Sequence, residues 1–147
     1  MSPPLTVPRN LWLQDGSLRD VYVHETVIGD WVTLLSLAKR HPHAYFAGGE
    51  RCPLPNPEQI FANAAAGHRL SVRVGNADLN CHFFSLDEIE LDIDPRQVVD
   101  LPTHEAVLRF VEDLAEATGR IADITLENSP QLPLLRFDPA STRWAAF

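Results

Sequence analysis

The segment EIELDID, residues 88–94, spaces Glu88, Glu90, Asp92 and Asp94 two apart, with Ile89, Leu91 and Ile93 between them. Successive side chains of a β-strand leave opposite faces, so the four carboxylates share one side and the three apolar residues the other. Carboxylates on one strand face stand about 7 Å apart, twice the rise per residue. Oxygen ligands of this kind suit Mg²⁺, Mn²⁺ or Ca²⁺, and His82 lies just upstream. Glu90, Asp92, Asp94 and His82 could therefore form the centre of a metal-dependent hydrolase. A regular strand, however, holds its carboxylates parallel rather than convergent. Lys39 is the only lysine, which also disfavours nucleases that need a lysine beside two acids. The metal reading ranks second, behind a surface.

Other chemistry is harder to support. His41-Pro42-His43 offers two imidazoles, but no neighbouring cysteine or acid completes a tetrahedral set. The chain has no G-x-S-x-G, Walker or G-x-G-x-x-G pattern, and Gly48-Gly49 reads as a turn. Cys52 sits in a proline-flanked loop without an evident base, so neither it nor Cys81 makes a convincing nucleophile. No cofactor, metal site or catalytic residue is expected.

The elements that would position these residues are legible in order. Leu11 to His24 reads as two apolar runs around Asp15-Gly16, a hairpin signal, although its register would set Leu11 opposite Asp20. Trp31, Leu34, Leu35 and Ala38 form one helical stripe, with Lys39, Arg40 and His41 in the last turn and Pro42 as the stop. HAYFA, residues 43–47, is a short strand. Asn56, Pro57 and Gln59 open a second helix that runs to Gly67. Residues 69–74 and 77–84 form the clearest hairpin, turning at Gly75-Asn76. Pairing Val74 with Ala77, Val72 with Leu79 and Leu70 with Cys81 gathers the apolar residues on one face and leaves His82 outside. Thr103 is expected to cap a long helix that buries Val107, Phe110, Val111 and Leu114 and ends at Gly119. Residues 121–126 and 133–137 read as two final strands, and Trp144 of the tail as packing on the core. These elements imply one α+β domain over residues 1–147, a mainly antiparallel sheet with about three helices on one face.

Charge supplies the functional clue. The net charge is −8, and residues 78–127 hold thirteen acids against three arginines, so nearly all the excess sits there. This opposes nucleic acid and anionic membranes as partners. Glu112, Asp113 and Glu116 stand in the last turns of the long helix, where the dipole disfavours them by about 0.3–1 kcal/mol each. Glu88, Glu90, Asp92 and Asp94 have no base on their own strand. Tolerated repulsion of this kind is expected of a surface that meets a basic protein. The leading expectation is a non-enzymatic protein-binding module of the immunity or inhibitor type, grouped there by size, acidity and lack of catalytic motifs. Its contact residues would be the seven acids just named. A homo-oligomeric structural protein, such as a homodimer, is the third reading. The first ten residues show no export signal, no apolar run is long enough for a transmembrane helix, and two distant cysteines fit a reducing compartment, so the expected location is the cytoplasm.

Overall fold

In the computed structural model the Gly75-Asn76 hairpin has the register that its side chains dictate. Val74 pairs with Ala77, Val72 with Leu79 and Leu70 with Cys81 on one face, while Arg73–Asp78, Ser71–Asn80 and Arg69–His82 alternate on the other. The structure describes residues 7–147, so the expected lack of an export signal falls largely outside it. The strands are β1 (Arg19–His24), β2 (His43–Ala47), β3 (Glu50–Cys52), β4 (His68–Val74), β5 (Ala77–Ser85), β6 (Glu88–Ile93), β7 (Ala122–Leu126), β8 (Pro133–Asp138) and β9 (Arg143–Ala146). The helices are α1 (Ile28–Ala38), α2 (Pro57–Ala62) and α3 (Leu101–Thr118). One sheet joins all nine strands in the order β3-β2-β4-β5-β6-β1-β7-β8-β9, and its neighbours are antiparallel throughout. The fold is α+β, with the sheet outweighing the helices.

The apolar side of each strand faces those helices. Val21, Leu70, Leu79, Ile89, Leu91, Ile124 and Phe137 meet Trp31 and Leu34 of α1 and Val107, Phe110 and Leu114 of α3 in one continuous cluster. Trp31 is fully buried, and its indole N–H donates to the Leu86 carbonyl at 2.8 Å. Burial of this kind stabilises by roughly 25 cal/mol per Å² of apolar surface, which is why the alternating pattern dictates the register. Trp144 packs against Phe137 at 5.3 Å between ring centroids, and the tail around it forms β9.

Four local expectations are corrected. The hairpin at Asp15-Gly16 does not form, because β1 is taken on both edges by β6 and β7. The preceding segment instead wraps round Arg19, whose buried guanidinium donates to the carbonyls of Asn10, Leu13 and Leu18 at 2.7, 3.3 and 2.9 Å. α1 stops at Ala38, so Lys39 to His41 lie beyond its last turn, and α2 ends at Ala62 with a single tight turn at Ala64–Ala66 before Gly67. The cap of α3 is Asp100, whose carboxylate accepts the Thr103 N–H at 2.8 Å. Pro102 fits the first turn, where its missing N–H costs nothing. Thr103 is buried there and its hydroxyl accepts the Asn76 N–H at 3.1 Å.

That contact makes Gly75 a sensitive position. Its φ is +57°, and an added Cβ would lie 2.9 Å from the Thr103 Cα. Gly75→Ala should therefore cost at least about 1–2 kcal/mol, the penalty of a left-handed non-glycine residue, before the clash is counted. Chemical denaturation measures this directly. An unchanged midpoint would mean that the hairpin tip does not rest on α3.

Candidate functional site

With the helices on one side, the other side of the sheet displays the polar residues of every strand. Its central cross-strand row reads Phe46, Arg69, His82, Glu90, Tyr22, Asp123 and Arg136, from β2 to β8. The next row reads Ser71, Asn80, Asp92, Asp20 and Thr125. Neighbouring strands lie about 4.8 Å apart, so Arg69 and Arg136 stand roughly 24 Å from each other. The face is therefore wide enough for a protein contact.

Glu88, Glu90 and Asp92 of β6 and Asp94 just beyond it are half-buried, and all but Glu90 have a basic partner. Glu88 pairs with His24 at 3.0 Å. Asp92 accepts from His82 Nε2 at 2.8 Å and from Asn80 Nδ2 at 3.3 Å. Asn80 Oδ1 in turn accepts from Arg69 at 3.1 Å. The Asp92 hydrogen bond holds the His82 imidazole above its usual pKa, against the opposing effect of burial. Asp94, at the strand end, turns to Arg96 at 2.7 Å and accepts the Arg96 N–H, and these hydrogen bonds lower its carboxyl. Asp123, almost fully buried, is gripped by Arg136 through two contacts of 2.7 and 3.0 Å. His24 and His82 on the adjacent strands, and Arg96 just after β6, supply the bases that β6 itself lacks.

Glu90 is the exception. Its carboxylate lies 3.1 Å from the Tyr22 hydroxyl, and that hydroxyl is also 3.2 Å from Asp20 Oδ2. A phenol carries one proton, so it can donate to only one of the two carboxylates at a time. Asp20 is 2% exposed and also accepts the Asn128 N–H at 2.7 Å. No arginine or lysine among the described residues reaches either acid within ion-pair distance. Burial raises the Asp20 carboxyl above its ordinary pKa despite those hydrogen bonds. Burial, followed by the charge of Asp20, raises that of Glu90. Tyr22 is pushed far up by its own burial and by both acids, so it stays a neutral donor.

The helix acids belong elsewhere. Glu112, Asp113 and Glu116 ride on α3, which packs on the other side of the sheet through Val107, Phe110, Val111 and Leu114. They do not share the surface of Glu88, Glu90 and Asp92. Only Glu116 comes near, lining a groove of about 780 Å³ with His24, Arg120, Asp123 and Arg136 at the end of the face. Of the residues proposed for a hydrolase, His82 and Asp92 pair with each other, while Glu90 turns to Tyr22 and Asp94 to Arg96. Among the described residues no group of three His, Cys, Asp or Glu is placed to hold a metal ion. Cys52 and Cys81 are unpaired, and Cys81 is buried in the core, its thiol pushed up by that burial. Among the described residues no helix is long and apolar enough to cross a membrane.

Asp20, Tyr22, Asp123, Arg69 and Arg136 were not legible as site residues. The alternation of Asp20-Val21-Tyr22-Val23-His24 was the available signal for β1. No protein-family model, curated protein or solved structure matches the chain, so its functional reading rests on this geometry.

The raised Glu90 carboxyl has a defined pH signature. A folded state that holds the proton more tightly than the unfolded chain loses stability as pH rises through the folded pKa. Glu90→Gln removes that loss while its amide oxygen can still accept from Tyr22. At neutral pH the variant should be more stable by about 0.2–1 kcal/mol, the range of one cross-strand interaction. The difference should vanish below the ordinary glutamate range, where the wild-type carboxyl is protonated in both states. Denaturation midpoints at acid and neutral pH test this, and a variant less stable at neutral pH would contradict it.

Proposed function

We propose that this chain is a non-enzymatic protein-binding module whose helix-free sheet face receives a basic protein. One observation carries the reading: Asp20 and Glu90 converge on a single hydroxyl with no arginine or lysine opposite either of them. Two carboxylates at one donor are costly in the free protein, because without a proton on one of them either Glu90 lacks a donor or Asp20 is left with the Asn128 N–H alone. A lysine or arginine delivered by a partner to the half-buried Glu90 would relieve that cost, turning local repulsion into specificity. The neighbouring pairs, His82–Asp92 and Arg136–Asp123, hold the surrounding side chains in place. A face already ordered in this way loses little side-chain entropy on binding. An excess of carboxylates also works against nucleic acid. Glu88, Asp92 and Glu90 would lie in the contact, Asp94 at its margin, and the α3 acids outside it apart from Glu116 at the rim.

Affinity capture from the native host, with purified protein on the resin, tests the reading. Glu90→Lys is compared with Glu58→Lys, an exposed position on α2. A basic protein should be retained by the wild type and by the Glu58 variant. Its retention should fall at least about tenfold, or 1.4 kcal/mol, with Glu90→Lys. It should also weaken from 0.1 M to 1 M salt, as the Debye length shrinks from about 10 Å to 3 Å. If no protein's retention depends on Glu90, the proposal fails.

A further inference from the structure

The helix-free face is not uniformly acidic. At its β2–β4–β5 end a groove of about 560 Å³ is lined by Phe46, His68, Arg69, His82, Phe83 and Phe84, within the size range of specific binding pockets. The β5 bulge shapes it. Pairing shifts between His82 and Ser85, so two residues oppose one on β6. Phe83 turns inward against Trp31 at 5.2 Å. Phe84 turns outward, stacked on the His82 ring at 5.1 Å, and is left 72% exposed.

Arg69 forms the opposite wall. Its guanidinium lies over the Phe46 ring at 4.3 Å and spends one donor on Asn80. Among the described residues it has no carboxylate within ion-pair distance. The nearby Asp92 is already held by His82 and Asn80. Of the two arginines on the central row, Arg136 has its bidentate acid and Arg69 does not. A guanidinium oriented by a ring and a hydrogen bond, with donors to spare, suits a carboxylate. An exposed phenyl ring beside it suits an apolar side chain, as in interface pockets that receive an anchor residue.

We propose that this groove is an anchoring subsite that takes an apolar side chain adjoining a carboxylate from the protein partner. The carboxylate pairs with Arg69 and the apolar group lies between Phe46 and Phe84. This rests on the reading of the helix-free face as a docking face and adds a charge pattern to it. The partner presents its cation to Glu90 and, two strands away or about 10 Å, an acid beside an apolar residue. A uniformly basic surface would set a cation against Arg69 and be rejected.

The test uses the full chain and three capped dipeptides: N-acetyl-Phe-Asp-amide, N-acetyl-Phe-Asn-amide and N-acetyl-Phe-Lys-amide. Each is titrated while NMR follows the Arg69 side-chain N–H, His82 and Phe84. The Phe-Asp peptide should bind in the millimolar range and shift those signals. The Phe-Asn peptide should bind at least about fivefold more weakly, having lost the charge-assisted pair. The Phe-Lys peptide should not bind. Arg69→Met, which keeps the stem over Phe46, and Phe84→Ala, at an exposed position, should each weaken Phe-Asp by a similar factor. Unchanged unfolding temperatures would show that both variants fold, and Arg69→Lys should restore part of the binding. No shift with Phe-Asp, equal binding of Phe-Lys, or Arg69→Met binding like the wild type would each overturn the proposal. The peptides report on this groove without any partner, so its failure is separable from failure of Glu90-dependent capture.

Discussion

The place of β1 in the middle of the sheet is the constraint from which the helix-free face follows. It is paired on one edge with β6 and on the other with β7, so the outward side chains of its centre lie between those of two neighbours. Asp20 and Tyr22 are almost fully buried there, although no helix covers that side. Ionisable groups in such a position cannot rely on water and must satisfy each other. The result is a hydrogen-bonded layer in which Tyr22 links Asp20 to Glu90 and His24 stacks on Tyr22 at 5.6 Å. The same strand supplies Val21 and Val23 to the core beneath. One six-residue strand thus joins the apolar cluster to the polar face.

The face is arranged as a balance of paired and unpaired charge. Asp92, Asp94, Asp123 and Glu88 have their bases, and these pairs set the geometry of the face. Glu90 and Arg69 stand two strands apart, one acidic and one basic, and among the described residues neither has an ion-pair partner within reach. Their separation is what gives the face a pattern rather than a mere sign. Phe46 and Phe84 place apolar surface next to Arg69.

Much of this architecture was legible in the sequence, and the gaps share a cause. The β4–β5 hairpin was readable because the Gly75-Asn76 turn and the apolar alternation demand the same register. The β6 alternation likewise placed Ile89, Leu91 and Ile93 in the core. Three features depended on long-range pairing that no local pattern carries. β1 reads locally as half of a hairpin with its own upstream segment, whereas it pairs with strands about 70 and 100 residues later in the chain, an arrangement set by global burial. The β6 acids looked unmixed with bases because His24 and His82 come from adjacent strands. The α3 acids looked like part of one surface because they are near in sequence, yet the apolar stripe of α3 turns them to the other side of the sheet. The α3 cap falls on Asp100, three residues before Thr103, whose own hydroxyl instead accepts from the Asn76 N–H.

The central claim is that Asp20 and Glu90 compete for one phenolic proton at the middle of the face. Titration of their side-chain carboxyl ¹³C signals by NMR, in the wild type and in Tyr22→Phe, tests it most directly. Ordinary values are about 3.9 for aspartate and 4.3 for glutamate. The account predicts that both groups titrate above those values, that their curves are coupled, and that removing the Tyr22 hydroxyl moves both. Independent curves at or below the ordinary values, indifferent to Tyr22→Phe, would contradict it.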